Sequence, residues 1–307
     1  MYFPYFRGRQ YDMLALRELA QGNLLGNHVA PVVEPIKVTS TFNGTIKMFI
    51  EKSKSIALIL NPTVGDISKC VSVDTVLPSI SGSVIPAVIV NHNTTGAISA
   101  LIAKGISESN VLTIMTNRDY LDVYQDLFAE TPPKFTLFPD ERQIRRAVSK
   151  NKVMFEDKFK KQEKNADYLK QEDEFYSDDH LYFGEEGFTG FGDYSIIGDE
   201  YVESGFAPYA VAIHIVYFAN DDTLRVRHFV SDSNTDIKDV AGKYYEAVTK
   251  LKRWYDSGQS RQTTTALATF LSHAENGYYP GLPTIKKLSI MHHLELVGKY
   301  LDGGLGT

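Results

Sequence analysis

Tyr2–Pro35 reads YFPYFRGRQYDMLALRELAQGNLLGNHVAPVVEP. An apolar, aromatic run, Tyr2–Phe6, meets a charged corner, Arg7-Gly8-Arg9. A helical stripe follows in which Met13, Leu16, Leu19 and Ala20 share one face. A second apolar run, Val29–Glu34, then ends before Pro35. Strand, helix and strand in that order make one βα unit, and the unit recurs down the chain.

Short apolar runs return at a near-regular interval, at Ile56–Leu60, Ile85–Val90, Val111–Met115, Phe135–Phe138 and Val153–Phe155. Most are apolar at every position, as in IALIL and IPAVIV, which marks parallel strands buried on both faces. Helical stripes fill most gaps: Ile46, Phe49 and Ile50; Ile98, Leu101 and Ile102; Leu121, Tyr124 and Phe128; Ile144 and Val148. Pro62–Val84, rich in Ser, Val and Pro, carries no such stripe. The alternation predicts an α/β fold, a distorted (β/α)8 TIM-barrel-like domain.

The alternation stops after Asp157. Lys158–Lys164 is basic, Gln171–Glu186 is strongly acidic, and GFTGFGDYSIIGDEY follows. These features predict an acidic insertion at about 158–192, a surface excursion or a lid whose aromatics dock. Tyr209–Phe218 and Leu224–Val230, joined by Asn220-Asp221-Asp222, predict a β-hairpin at about 209–230. The eighth strand falls to Tyr194–Ile197 or to this hairpin. The barrel is thus expected over 1–235. A C-terminal helical extension packed on it is expected over 236–307, from stripes such as Val240, Tyr244, Val248, Leu251 and Tyr255.

At 307 residues and 43% hydrophobic, the chain can bury a sizeable core, and a net charge of −6 argues against indiscriminate nucleic-acid binding. The single cysteine, Cys70, cannot form an internal disulfide and suits a reducing cytosol. There is no leader-like segment and no apolar run near about 18 residues, so a cytoplasmic protein without a membrane span is expected. The oligomeric state is left open.

In a (β/α)8 barrel the C-terminal strand ends face one mouth, where chemistry or binding is placed. Those positions are polar nearly throughout. They give Arg7 and Arg9, Glu34, Asn61, Asn91 with His92 and Asn93, Thr116 with Asn117 and Arg118, Asp140 and Glu141, Glu156 and Asp157, then Asp193 with Tyr194, and Asp199. Strands also end at turns, where Asn and Asp serve local caps. Glu34 stands apart, because a carboxylate in an apolar run needs a partner, and Arg7 or Arg9 is the nearest candidate.

Two chemistries fit the set. Glu34, His92, Asp140 and Glu156 are the catalytic candidates, with carboxylate oxygens suited to Mg or Mn in a metal-dependent hydrolase acting on a phosphorylated or nucleotide substrate. Arg7, Arg9, Asn61, Asn91, Arg118, Asp193 and Tyr194 are the ligand-binding candidates, with the arginines gripping an anionic or nucleotide ligand. There is no Walker A, G-x-S-x-G or Cys/His zinc pattern, and Gly187–Gly192 lacks the strand and helix that flank a phosphate loop. His292 and His293 should point to different faces of the last helix. His214 reads as a satisfied core histidine. Arg225 and Arg227, next to His228, share one face of a basic strand that binds a partner or nucleic acid, or protects an edge.

The opening YFPYFRGRQYDMLALRELA with PVVEP, and the later FGDYSIIGDEY, resemble the beta protein family of T4-like phages and its bacterial relatives. More narrowly, the whole chain resembles the sce7725 family. The positions that carry the resemblance are Tyr2, Pro4, Arg7, Glu34, Pro35, Gly192, Asp193 and Tyr194. Tyr11-Asp12 departs from it, since many relatives carry an acidic residue and then an apolar one there. The resemblance implies a phage or mobile-island context and supplies no catalytic activity. The expected function is an accessory or binding component of a phage-defence or phage-derived system, taking a protein partner or an anionic ligand at the barrel mouth.

Overall fold

Parallel strands follow one another around a barrel in the first of two compact units, Met1–Asp157 with Asp179–Tyr194. The computed structural model describes residues 1–65, 82–202, 208–258 and 262–303. Cys70 and most of the Ser/Val-rich stretch after Pro62 lie outside the described residues. Strands β1 (Tyr5–Phe6), β2 (Val32–Val33), β3 (Ile56–Ile59), β4 (Val84–Ile89), β5 (Leu112–Ile114), β6 (Phe135–Phe138) and β7 (Lys152–Phe155) pair in sequence order. The next strand, β8 (Asp173–Ser177), joins a different sheet, and β9 (Gly190–Gly192) takes the eighth place beside β7.

The eighth strand is therefore neither of the segments expected for it. Ser195–Ile197 forms a single 3₁₀ turn, and the hairpin strands pair elsewhere. Gly190–Gly192 closes the barrel because two glycines let its backbone lie against the first strand. A Cβ on Gly190 would stand 2.5 Å from Met1 O, and one on Gly192 2.5 Å from Phe3 O. Across this seam Phe191 N donates to Met1 O at 3.0 Å, Phe3 N to Phe191 O at 2.9 Å and Tyr5 N to Asp193 O at 2.8 Å.

Alternate residues of the strands fill the barrel, among them Phe3 and Tyr5, Ala57 and Ile59, Leu112 and Ile114, and Val153 and Phe155. Their neighbours, such as Phe6, Val33, Leu58 and Val88, are buried as well. Burial on both sides explains the unbroken apolar runs. Helices Gln10–Gln21, Ser40–Glu51, Thr94–Ile102, Leu121–Phe128 and Arg142–Ala147 fill the gaps where the stripes predict them. Ile102 departs from its stripe and is 48% exposed.

The second unit comprises Lys158–Asp178 and Ser195–Thr307. The hairpin strands β10 (Ala212–Phe218) and β11 (Leu224–Val230) form as expected, but they pair with β8 in an antiparallel sheet of order β10-β11-β8. The acidic stretch is thus in part a core strand, because its charges meet those of the basic strand. Arg225 Nε donates to Asp173 Oδ1 at 2.6 Å, and Tyr217 Oη donates to Asp173 Oδ2 at 2.6 Å. Arg225 and Arg227 sit on the central strand and engage Asp173, so they do not guard an edge. This sheet places the hairpin in the second unit, with the helices Val240–Asp256, Thr265–Asn276 and Leu282–Leu301.

Leu282–Leu301 is buried without a break from Leu288 to Gly298, so its apolar stripe is only one of its covered sides. His292 and His293 do point apart. His292 meets Thr264 Oγ1 at 2.7 Å through Nδ1 and Val216 O at 2.7 Å through Nε2, while His293 Nδ1 meets Ser195 Oγ at 2.9 Å. Burial pushes His292 down to about 4 and His293 down to about 3.

Two outcomes are expected. Gly192→Ala should lose about 1–3 kcal/mol in urea unfolding, because backbone must move to admit the methyl group. Gly96→Ala, in a helix with open space around the added Cβ, should lose nothing. The second concerns pH. Histidines that stay neutral when native but take up a proton when unfolded contribute fully above about pH 6.5. That contribution falls as the pH drops toward the native values, by about 1.4 kcal/mol per pH unit for each histidine. Urea unfolding between pH 7 and pH 5 should show this decline, and His293→Gln should flatten its slope.

Candidate functional site

Gly8 turns the chain at the mouth of the barrel with φ of +60°, and its missing side chain lets the corner lie 3.0 Å (Cβ position) from Glu34 O. The turn brings Arg7 onto Glu34. The Glu34 side chain is fully buried, and both of its oxygens are occupied. Oε2 accepts from Tyr5 Oη at 2.7 Å and from Arg7 Nη1; Oε1 accepts from Thr63 N at 2.6 Å and Thr63 Oγ1 at 2.8 Å. The expected pairing of Glu34 with Arg7 is present, and Tyr5 and Thr63 complete it. A buried carboxylate without such donors would be strongly destabilising. The adjacent phenol of Tyr5 is driven well above its ordinary value, first by burial and then by the Glu34 charge.

Aromatic rings extend the cluster. Arg7 Cζ lies 5.4 Å from the centre of the Tyr5 ring and 5.9 Å from that of Tyr194, within cation–π reach. Tyr194 contacts Tyr5 at 5.0 Å and Phe155 at 4.8 Å between centroids. Asp193, buried beside it, accepts from Tyr2 Oη at 2.8 Å. The closing strand therefore delivers both Asp193 and Tyr194 to the first strand.

The other strand-end residues serve mostly local needs. Asn61 extends the β3–β4 ladder with its side chain, donating to Ile89 O at 2.7 Å and accepting from Ile89 N at 2.8 Å. Asn91 Oδ1 accepts from Asn93 N at 2.8 Å, and Asn117 Oδ1 from Asp119 N at 2.8 Å, as turn caps do. Arg9 precedes the first helix, and its amide approaches Asp12 Oδ2 at 3.3 Å. Asp12 is a buried acid in the first turn of that helix. His92 is exposed.

No family model, curated protein or solved structure matches the chain.

The carboxylates expected to act together do not form a metal centre. Asp140 N donates to Glu156 Oε1 at 3.3 Å, but Asp140 is also paired with Arg145 at 3.1 Å, and Arg118 is held at 3.5 Å by Glu141. Among the described residues, no three or more His, Cys, Asp or Glu side chains are placed to hold a metal ion. Glu34 has spent its oxygens on Tyr5, Arg7 and Thr63, so the residues present do not fit the Mg or Mn site that the acid list suggests. Asp199 belongs to the second unit. Among the described residues no helix is long and apolar enough to cross a membrane.

Sequence reading missed Thr63 and the phenols of Tyr2 and Tyr5. The tyrosines were legible only as strand residues, since nothing in an apolar run says which hydroxyl will find a carboxylate. His214, expected to be a satisfied core histidine, has His228 as its partner at 2.7 Å between Nδ1 atoms and also lines a cavity in the second unit.

Glu34→Gln replaces an acceptor oxygen with a donor facing Tyr5, Arg7 or Thr63. Loss of about 3 kcal/mol is expected in urea unfolding, against no more than about 0.5 kcal/mol for the exposed Asp199→Asn. Equal stability of the two variants would remove Glu34 from the centre of the cluster.

Proposed function

We propose that the barrel mouth is a binding site for an anionic ligand or an acidic partner surface, and that Glu34 organises it without taking part in hydrolysis. The observation that carries this reading is the saturation of Glu34. Its bonds fix Arg7 beside Tyr5 and Tyr194, and the Arg7 side chain keeps 18% of its surface exposed at the strand end. A guanidinium held this way loses little freedom on meeting a phosphate or carboxylate. Arg9 and Arg118, at other positions around the same strand ends, add positive charge.

The resemblance to the beta protein family of T4-like phages and to the sce7725 family supports a wider role as an accessory component of a phage-defence or phage-derived system. Such a component would engage its ligand or protein partner through this mouth.

Thermal-shift titration with inorganic triphosphate and a nucleotide panel tests the proposal. Saturable stabilisation of about 2.7 kcal/mol is expected at a hundredfold excess over Kd. Arg9→Ala and Arg118→Ala should each weaken binding about tenfold, worth about 1.4 kcal/mol. Stabilisation by Mg or Mn that disappears in Glu34→Gln would instead support the metal-dependent hydrolase. An unchanged melting temperature with every anion would overturn the anion reading.

A further inference from the structure

Three strands of the second unit bring one carboxylate and two imidazoles into a row. His214 on β10 pairs directly across from His228 on β11. Glu174 on β8 pairs with Val226, two residues before His228 and so on the same face. The Nδ1 atoms of His214 and His228 lie 2.7 Å apart, and His228 Nε2 lies 3.2 Å from Glu174 Oε1. Glu174 and His228 are buried, at 5% and 2% exposure. His214 is half-buried and lines a cavity of about 950 Å³.

Hydrogen-bond logic orients the row. An ionised carboxylate only accepts, so His228 Nε2 carries the proton that faces Glu174. In a neutral His228, Nδ1 then holds a lone pair, and the short contact requires His214 Nδ1 to donate to it. His214 Nε2 is left as an unprotonated acceptor on the ring that lines the cavity. Burial, then His228 and then Lys286 hold His214 well below its ordinary value. Burial also lowers His228, against the opposing pull of Glu174 and Asp173. Lys160 Nζ lies 3.4 Å from Glu174 Oε2 and adds a further charge beside the row. Phe159 and Tyr168 pack edge-on to His214, at 5.1 and 4.7 Å between ring centres. Both also line the cavity, with Lys164 and the half-buried Lys286.

We propose that this cavity is an acid–base site for a small organic anion. Lys286 and Lys164 attract the anionic group, Phe159 and Tyr168 face its apolar body, and His214 Nε2 accepts a proton from a hydroxyl of the bound molecule or from water beside it. The O–H bond breaks and an N–H bond forms at Nε2. The O–H electron pair stays on the oxygen, the resulting imidazolium is stabilised through His228 by the Glu174 carboxylate, and the proton returns from Nε2 to that same oxygen. A row of this kind orients its terminal base as a carboxylate–histidine pair does. The cavity volume lies in the range of small-molecule sites.

Diethyl pyrocarbonate, which acylates accessible unprotonated imidazole nitrogens, tests the assignment on the full chain, with peptide mapping by mass spectrometry. His214 should react about tenfold or more faster than His228, His292 or His293. Phenyl phosphate, as the probe anion, should slow that reaction about tenfold, and Lys286→Ala should lose the protection. Glu174→Gln should move the midpoint of the pH–rate profile of His214 downward. Lys160→Ala, a change of an exposed side chain that leaves Glu174 less neutralised, should move it upward. An inert His214, a reactive His214 that phenyl phosphate does not protect, or a profile unmoved by Lys160→Ala would each overturn the proposal.

Discussion

Contact between two backbones holds the barrel shut. Gly190 and Gly192 have no side chain to keep Met1 and Phe3 away, and the seam between them supplies the hydrogen bonds that the outer edges of β1 and β9 would otherwise lack. The closure brings two further residues to the mouth. The residues directly after the closing glycines are Asp193 and Tyr194. One accepts the Tyr2 hydroxyl, and the other packs with Tyr5 beside Arg7. An open sheet of the same seven strands would keep Glu34 and Arg7 as neighbours and would lose the ring that flanks them.

The first seven strands were legible because a parallel strand covered on both faces must be apolar throughout, and IALIL or IPAVIV has few other uses. The eighth was illegible for the opposite reason. Its qualification is absence of bulk, and a Gly-Phe-Gly triplet carries neither an apolar run nor a β-propensity to report it. Gly190 and Gly192 serve no phosphate loop; they let two main chains touch. The Glu34–Arg7 pair was legible from the cost of burying charge. Thr63 was not, since it reaches Glu34 through a loop whose path no periodicity encodes.

In the second unit the sequence presents the acidic stretch as a surface excursion or a docking lid, and the basic strand as a partner-binding or edge-protecting face, each on its own. Their meaning was joint. Asp173 draws Arg225, Arg227 and Tyr217 to one face of the sheet, while Glu174, the next residue, turns to the other face and meets His228. Alternation along one strand thus divides a run of like charges between two environments. The partner of His214 is illegible for a related reason, because an imidazole in an apolar strand looks the same whether its neighbour is a methyl group or another imidazole.

The order in which the chain visits the two units has a consequence for how the protein comes into being. The chain leaves the barrel after Asp157, contributes β8 elsewhere, returns for Asp179–Tyr194 and leaves again. A ribosome therefore releases seven barrel strands well before the one that closes them. It also releases β8 before β11, the strand with which β8 pairs. Each unit waits, unfinished, on sequence that lies beyond a stretch of the other. Neither can be lifted out as one uninterrupted segment of the chain.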